Sequence, residues 1–455
     1  MLWLLFYLHH QLPDLMLETG SIIQLSDTLL TDQPAPVLQP RTHSARLWLP
    51  KRVLFTPDAL QEPFGQQMYE RAQAHNLEIE LLKSNRLTGL PGADVRETYR
   101  NAKNTLAVVC APPSALKLQP TPPSADWQMN LAEGCPAHCQ YCYLAGSLQG
   151  PPVVRAYANL PKLLEATAAY EQAGRRTSFE VSCYTDVLGI EHLTGSLAEC
   201  IRYYGTREGA QLRFVSKYDQ VDSLLDLPHN GHTRARFSLN AEPIARRLEG
   251  GTASVEARLQ ALRKLALPRE LGGGGYPVGV VLAPIMPIPE WREHYTALLD
   301  RLAGTLDFDC DLTVEMISHR FTPGSKDVLL QWYPNTSLDL EEEGRAVKRN
   351  KFGAPSTCTS PTTCARSSSS SSPSGSVVFP RPQFSTGRKK LTNSLLGGAI
   401  VKGYTSAGIS FFNVLSLGPR LVGIPGRCPP SCLTRCSSAT VANCSPSPAA
   451  PPTAP

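Results

Sequence analysis

The sequence predicts an α/β protein built around a partial (βα)6 barrel, with a small N-terminal α/β unit and a disordered C-terminal tail. Three observations lead to this prediction. Six short apolar segments alternate with helical segments between residues 127 and 317, three closely spaced cysteines follow the first of them, and the last 101 residues lack aspartate and glutamate. Six βα units are fewer than the eight that close a full barrel.

The chain begins with a segment, residues 1–46, that shows little periodic pattern and is predicted to be a poorly structured extension. Residues 47–125 are predicted to form the small α/β unit. Thr56-Pro57 is a candidate helix start, because proline suits the first position of a helix. The strand candidates are Arg52–Phe55, the alternating segment Leu77–Leu81, and Thr105–Cys110.

Residues 126–354 are predicted to form the barrel. The strand candidates are Gln128–Leu131, Phe179–Cys183, Leu212–Ser216, Ala235–Leu239, Val278–Ala283 and Leu312–Ile317. The helix candidates are Pro161–Ala173, Thr194–Tyr204, Val221–Leu225, Ser254–Ala266 and Trp291–Leu302. In the second helix Leu197, Cys200, Ile201 and Tyr204 share the i, i+3, i+4, i+7 spacing of a buried stripe.

The tail, residues 355–455, differs from the rest of the chain in composition. It contains the serine run Ser367–Ser372 and nine lysines and arginines without one carboxylate, so it carries +9 while residues 1–354 carry −4. Such low-complexity sequence cannot bury enough apolar surface to fold alone, and we expect it to be disordered. The net charge of +5 for the whole chain therefore says little about its partners.

The first apolar run, Leu2–Leu8, is too short to span a bilayer, and it lacks a basic segment and a clear cleavage site. We expect a cytoplasmic protein. Reduced thiols are the rule in that compartment, so the thirteen cysteines point to metal or redox sites rather than to disulfides.

Three cysteines form the motif Gly134-Cys135-Pro-Ala-His-Cys139-Gln-Tyr-Cys142, with the spacing C-x3-C-x2-C. Three thiolates on one loop suit a [4Fe–4S] cluster, and the missing fourth cysteine leaves one iron open to a non-protein ligand. One alternative is a zinc site completed by His138 or by a distant cysteine. A second is coincidence, since the tail contains a similar triplet at Cys428, Cys432 and Cys436.

This motif resembles that of the radical S-adenosylmethionine superfamily, where it also opens a partial (βα)6 barrel. Over residues 50–353 the chain further resembles the spore photoproduct lyase family, block after block. Besides the cysteine motif, the matching blocks are NRLTGLPG from Asn85, YRNAKNTL from Tyr99, SCYTD from Ser182, RFVSK from Arg213, TRARFSLN from Thr233 and SHRFT from Ser318.

Polar and reactive residues also follow the predicted barrel strands, independently of the resemblance. Cys183, Lys217, Asn240, Ala283 and the segment Ser318–Arg320 stand at or just after five strand ends. The carboxyl ends of parallel barrel strands form active sites, so these residues are expected to converge near the cysteine motif.

The resemblance implies that Cys135, Cys139 and Cys142 hold a [4Fe–4S] cluster and that S-adenosyl-L-methionine binds its open iron. One electron from the reduced cluster then cleaves the cofactor and releases a 5′-deoxyadenosyl radical. The positions that match cofactor contacts of the family are Tyr141, Thr185, Lys217, Ser238, Asn240 and Ala283. For Ser238 and Asn240 the alternative is ordinary hydrogen bonding at a strand end.

The resemblance also implies a lyase that repairs the ultraviolet lesion 5-thyminyl-5,6-dihydrothymine in DNA. The radical removes hydrogen from C6 of the dihydrothymine ring, and the bridging carbon–carbon bond then breaks. Cys183 matches the hydrogen donor that quenches the remaining thymine radical, and Tyr143 matches the tyrosine that relays hydrogen. The alternatives are a buried free cysteine and a packing aromatic.

The expected partners are lesion-containing DNA and an electron donor such as a flavodoxin or ferredoxin, and the expected state is a monomer. Basic residues near the predicted barrel mouth could meet phosphates or belong to solvated faces; they are Arg234, Arg236, Arg320, Lys348, Arg349 and Lys351. Two other functions stay open: a radical S-adenosylmethionine enzyme with a non-DNA substrate, and a non-catalytic Fe–S or zinc protein that binds nucleic acid.

A first prediction separates the two cysteine triplets. Substituting Cys135, Cys139 or Cys142 with alanine should abolish assembly of the iron–sulfur cluster, because each removes a ligand. The control, Cys432→Ala, should leave iron and sulfide per chain unchanged after anaerobic reconstitution. The reverse result would move the metal site into the tail.

Overall fold

The computed structural model describes residues 46–87, 92–122, 124–148, 150–181, 183–343, 345–349, 355–358 and 415–417. Predictions for the N-terminal extension and for most of the tail therefore lie outside the described residues. The described residues form two main sheets, one in the barrel and one in the N-terminal unit.

The strands are numbered along the chain. They are β1 Arg52–Phe55, β2 Ile79–Leu81, β3 Thr105–Val109, β4 Gln119–Thr121, β5 Ala125–Met129, β6 Ala132–Glu133, β7 His138–Cys139, β8 Val154–Tyr157, β9 Thr177–Val181, β10 Ala210–Ser216, β11 Thr233–Leu239, β12 Glu249–Gly250, β13 Val278–Ile285, β14 Leu312–Ser318, β15 Arg320–Phe321, β16 Ala346–Arg349, β17 Pro355–Cys358 and β18 Leu415–Leu417.

The α-helices are numbered in the same way. They are α1 Pro63–Ala74, α2 Val95–Lys103, α3 Leu160–Thr167, α4 Glu191–Thr194, α5 Ser196–Gly205, α6 Glu242–Leu248, α7 Val255–Ala266, α8 Trp291–Thr305 and α9 Pro323–Trp332.

The predicted partial barrel is confirmed. Its wall consists of parallel strands in the order β5-β9-β10-β11-β13-β14, and each overlaps one of the six strand candidates. The overlap is smallest for β5, which shares only residues 128–129 with the candidate Gln128–Leu131. The edge strands β4 and β18 add to the sheet in antiparallel fashion at its two ends. The buried stripe predicted for the second helix lies on α5, where all four side chains are fully buried.

The barrel has an apolar outer layer and a polar interior, and strand β11 shows why. Its side chains alternate between apolar residues that join the hydrophobic core, such as Phe237, and polar residues such as Arg236. Arg236 forms ion pairs with Glu180 on β9 and with Glu315 on β14. Neither strand neighbours β11, so these contacts cross the interior of the barrel.

The N-terminal unit holds a sheet in the order β2-β1-β3-β8-β6, of which the first four strands are parallel. The last two strands, β6 and β8, flank the cysteine motif in sequence, so the sheet holds both ends of the loop 134–153. The helix start predicted at Thr56-Pro57 is wrong. A short 3-10 turn at Ala59–Gln61 follows it, and α1 begins at Pro63.

A small antiparallel sheet, β15-β17-β16, lies at the C-terminal side of the barrel. Strand β17 begins at Pro355, the residue at which the tail was predicted to begin. Among the described residues, no helix is both long enough and apolar enough to cross a membrane.

The buried charges of the barrel yield a second prediction. The Arg236→Met variant leaves Glu180 and Glu315, each about 3–4% exposed, without their cation. Loss of one partner in a buried ion pair lowers the free energy of unfolding by roughly 3–5 kcal/mol. The control, Lys264→Met, breaks an exposed pair with Asp222 and should cost about 0–1 kcal/mol. Equal denaturation midpoints for the two variants would show that the barrel interior does not depend on this pairing.

Candidate active site

Three of the predicted cofactor contacts lie together at the carboxyl edge of the barrel. Lys217, after β10, donates a hydrogen bond of 2.7 Å from Nζ to Oγ of Ser238 on β11. Ser238 Oγ in turn lies 3.4 Å from the carbonyl oxygen of Ala283 on β13. Three predicted cofactor contacts thus come from three adjacent strands and touch one another.

The cysteine loop begins with a glycine that no other residue can replace without strain. Gly134 has a φ of +77°, and a Cβ atom there would lie 2.2 Å from the carbonyl oxygen of Val153. This close approach places the first turn of the loop directly against the chain that returns into β8. Cys135 therefore leaves the N-terminal sheet in a fixed direction.

The middle of the loop is tied to the barrel by a two-stranded antiparallel sheet. Strand β7 pairs with β12, so that Cys139 lies opposite Glu249 and His138 lies opposite Gly250. The backbone N–H of Gln140 adds a hydrogen bond of 2.8 Å to the carbonyl of Leu248. The loop is thereby connected to the barrel segment that follows β11.

A buried polar network lies behind this connection. The hydroxyl of Tyr141 donates to Glu249, whose carboxylate pairs with Arg258 at 2.6 Å. Arg258 also donates to the carbonyl of Ser238 at 2.9 Å. Burial raises the pKa of Glu249, but the charges of Arg258 and Lys217 and the hydrogen bonds from Tyr141 and Arg258 together outweigh burial, so the pKa is held below its usual value. The carboxylate therefore stays charged and keeps accepting hydrogen bonds.

Of the three cysteines of the motif, Cys139 is buried, and Cys135 and Cys142 are partly buried. Burial raises the pKa of Cys135 to about 11 and also raises the pKa values of Cys139 and Cys142. The positive charges of Lys103 and Lys217 act in the opposite direction on this group. A metal that binds thiolates here would displace protons from all three sulfurs.

Iron–sulfur clusters are held by cysteine thiolates, and this loop carries three free cysteines. Among the described residues, no three His, Cys, Asp or Glu side chains converge tightly enough to hold a single metal ion. His138, the proposed fourth zinc ligand, accepts or donates a 3.0 Å hydrogen bond between Nδ1 and the Tyr99 hydroxyl. Burial, with the Lys103 charge, lowers the pKa of His138 to about 4, so the ring is neutral and its Nδ1 can accept.

Two polar atoms near the barrel mouth fit an additional bound molecule. Thr185 Oγ1 and Asn130 Oδ1 are buried and have no hydrogen-bond partner among the described residues. Buried polar groups are normally paired, so a ligand that brings hydrogen-bonding groups would complete them. Together with the three cysteines, these atoms fit a cluster and a polar organic cofactor.

Asn240 differs from the other predicted cofactor contacts. Its side chain is fully buried, and its Oδ1 accepts from the Tyr295 hydroxyl at 2.7 Å and from the backbone of Ala241 at 2.9 Å. Its Nδ2 donates to the carbonyl of Pro284 at 2.9 Å. One hydrogen on Nδ2 is left for a ligand, and the cofactor role of Asn240 stays a prediction.

Cys183 and Tyr143 occupy different environments. Cys183 is partly exposed, and burial together with the charge of Glu180 raises the pKa of its thiol to about 12. Tyr143 is 58% exposed, and the centre of its ring lies 6.5 Å from that of Tyr184, the residue after Cys183. Cys183 therefore stays a protonated thiol near neutral pH, beside an aromatic pair that includes Tyr143.

Two of the basic residues predicted near the mouth cannot meet phosphates, and the prediction is wrong for them. Arg236 is buried in its two ion pairs, and Arg234 pairs with Asp311 at 2.6 Å and donates to a backbone carbonyl of β13. Arg320 is exposed, whereas the side chains of Lys348 and Arg349 and the whole of Lys351 lie outside the described residues.

Comparison with known proteins places this architecture in one family. The family model described as spore photoproduct lyase matches residues 48–361. A spore photoproduct lyase of Geobacillus sp. (strain Y412MC61) is 43% identical over 311 residues, which are 67% of this chain and 89% of that protein. The chain belongs to the spore photoproduct lyase family.

Further members support this assignment. The spore photoproduct lyase of Bacillus subtilis (strain 168) is 38% identical over 67% of this chain and 89% of its own length. A solved structure of spore photoproduct lyase complexed with dinucleoside spore photoproduct matches with a TM-score of 0.65 and 39% identity, over 70% of this chain and 93% of that one. Another, a variant with bound AdoMet and the same dinucleoside, matches with the same TM-score and 38% identity.

The sequence did not reveal the residues that support the cysteine loop in this spore photoproduct lyase family member. Lys103 is buried and donates from Nζ to the carbonyls of Cys135 and Ala137. Glu249 and Arg258 form an ion pair on the side of the cysteine loop that faces the barrel. Lys103 lies within one of the family blocks, but no local spacing relates it to the cysteines.

A third prediction concerns the glycine that begins the loop. Gly134→Ala must tolerate a left-handed backbone and also displace the carbonyl of Val153. Gly174→Ala is the matched control, since its φ is +80° with no atom within 4 Å of an added Cβ. The free energy of unfolding of the control variant should fall by about 1–2 kcal/mol. The free energy of unfolding of Gly134→Ala should fall further, and this variant should bind less iron per chain. Equal stability and equal iron content of the two variants would mean that the close approach of Gly134 to Val153 is unimportant.

Proposed function

We propose that this chain repairs 5-thyminyl-5,6-dihydrothymine in DNA and returns it to two thymines. The observation that carries the proposal is the three-cysteine loop fixed over the carboxyl ends of the barrel strands, beside a thiol that is not part of the loop. Membership of the spore photoproduct lyase family supports the lesion as substrate.

In this proposal Cys135, Cys139 and Cys142 hold a [4Fe–4S] cluster, and S-adenosyl-L-methionine lies between the loop and the strand ends. When bound, these groups supply one electron and a 5′-deoxyadenosyl radical at the barrel mouth. Lys217 would attract the carboxylate of the cofactor, and Ser238 already orients the Lys217 ammonium. Thr185 would use its unpaired hydroxyl, and Tyr141 and Ala283 would line the same space.

Cys183 is proposed as the hydrogen donor to the thymine radical left after the carbon–carbon bond breaks. Only the protonated thiol can transfer a hydrogen atom, and the raised pKa of about 12 keeps Cys183 in that form at neutral pH. The S–H bond breaks, a C–H bond forms on thymine, and the unpaired electron stays on sulfur. The hydrogen atom that the cofactor radical removes from the lesion would return through Tyr143 to that sulfur, so that the cofactor is regenerated and the cycle needs no further oxidant or reductant.

We also propose that the substrate is a duplex or a single strand of DNA. The lesion would leave the base stack of this DNA and enter the barrel mouth. We further propose a cytoplasmic monomer that receives its electron from a flavodoxin or ferredoxin, with residues 126–354 as the catalytic barrel.

The proposed reaction is tested with the anaerobically reconstituted chain, S-adenosyl-L-methionine, dithionite and an oligonucleotide that contains the lesion. The expected result is conversion of the lesion to two thymines. Cofactor cleavage without loss of the lesion would instead favour a radical enzyme with a different substrate. Absence of both reactions in iron-loaded protein would favour a non-catalytic nucleic-acid-binding protein.

A fourth prediction tests the role of Cys183. Cys183→Ala should keep the iron–sulfur spectrum and still cleave the cofactor, but its thymine radical should be trapped as off-pathway adducts. The control is Cys200→Ala, which truncates a fully buried cysteine in α5 and should alter stability rather than products. Chromatography of the nucleotide products distinguishes the two. Clean repair by Cys183→Ala would place the hydrogen donor elsewhere.

A further inference from the structure

Lys103 holds a positive charge in a confined position beside the cysteine loop. It is the last residue of α2, is only 5% exposed, and donates from Nζ to the carbonyl oxygens of Cys135 and Ala137. Its Nζ also lies 6.0 Å from the centre of the Tyr99 ring. Among the described residues, no carboxylate forms an ion pair with it.

The sequence of the loop explains why an ammonium group suits this place. The carbonyl of Cys135 belongs to the peptide bond of Pro136, which has no N–H, so this part of the loop offers hydrogen-bond acceptors without the usual donor. Two carbonyls can share the donors of one ammonium group. The charge is therefore fixed by geometry and is shielded from water.

We propose that Lys103 is a positioning residue that raises the reduction potential of the cluster held by Cys135, Cys139 and Cys142. This inference rests on the proposed function, in which those cysteines hold a [4Fe–4S] cluster. Reduction adds one electron from the reductant to the cluster and therefore one negative charge. A fixed cation in a region of low dielectric stabilises the reduced form more than the oxidised form.

A purely mechanical role for Lys103 leads to a different expectation. If the ammonium only clamps the two carbonyls, its removal should loosen the loop and lower the iron content. The potential of the clusters that still bind would then stay unchanged. The reduction potential therefore separates the two roles, and it can be measured without DNA, cofactor turnover or activity.

The experiment is a spectroelectrochemical titration of the reconstituted full chain, with redox mediators and without S-adenosyl-L-methionine. The variants are Lys103→Met and Lys103→Gln, which remove the charge, and Lys103→Arg, which keeps it; Lys264→Met is the control for loss of an exposed charge. At the wild-type midpoint, the neutral variants should show about a tenfold lower ratio of reduced to oxidised cluster, which corresponds to a shift of about 59 mV for one electron.

The possible outcomes are distinct. A negative shift in every neutral variant that binds iron, with Lys103→Arg and Lys264→Met close to wild type, supports the proposal. An unchanged potential in iron-loaded Lys103→Met or Lys103→Gln overturns it, and so does complete loss of iron from both, because Lys103 would then be a structural clamp. Wild-type chain that binds no iron would contradict the proposed function itself, which is a separate failure.

Discussion

The buried ion pair between Glu249 and Arg258 determines where the cysteine loop lies relative to the barrel. Both side chains are almost completely inaccessible to solvent. Arg258 reaches from α7 to the carbonyl of Ser238 at the end of β11, while Glu249 lies opposite Cys139 and accepts from Tyr141. One ion pair thus connects a ligand of the proposed cluster to a strand end that forms the proposed cofactor site.

The opposite side of the loop is held by different means. The N-terminal sheet fixes both ends of the loop through β6 and β8, Gly134 permits the close approach to Val153, and Lys103 satisfies two loop carbonyls. Radical chemistry needs such fixation, because a small displacement of reacting groups costs a large part of the rate. The polar interior of the barrel adds to the rigidity, since Arg236 on β11 joins β9 and β14, which are not its neighbours in the sheet.

The sequence predicted those strands and helices whose pattern of apolar residues lies within one short segment of the chain. The barrel strands are short apolar or alternating segments, and α5 carries a stripe of four buried residues, so periodicity alone was sufficient for both. The cap-and-proline signal at Thr56-Pro57 gave a wrong helix start, because the proline that begins the helix lies six residues later and follows Glu62, which makes no side-chain cap. Thr56 donates to Asp58, which caps only a 3-10 turn, and α1 begins with Pro63.

Long-range contacts explain what could not be predicted. Strand β8 joins a sheet whose other parallel strands precede the cysteine motif, and it pairs with β3, where Leu106 lies opposite Val154, 48 residues later in the chain. Arg236 appeared to be a phosphate contact because its acidic partners, Glu180 and Glu315, are 56 and 79 residues away. Lys103 and Cys135 are separated by 32 residues and meet only in the folded protein.

The contribution of the Glu249–Arg258 pair is tested most directly by a double-mutant cycle. The free energy of unfolding would be measured by denaturant for iron-free wild type, Glu249→Gln, Arg258→Met and the double variant. Each single variant leaves a buried group without its partner, so the two substitutions should be strongly non-additive, with a coupling of about 2 kcal/mol or more. Additive losses, with a coupling near zero, would contradict the claim that this pair fixes the loop to the barrel.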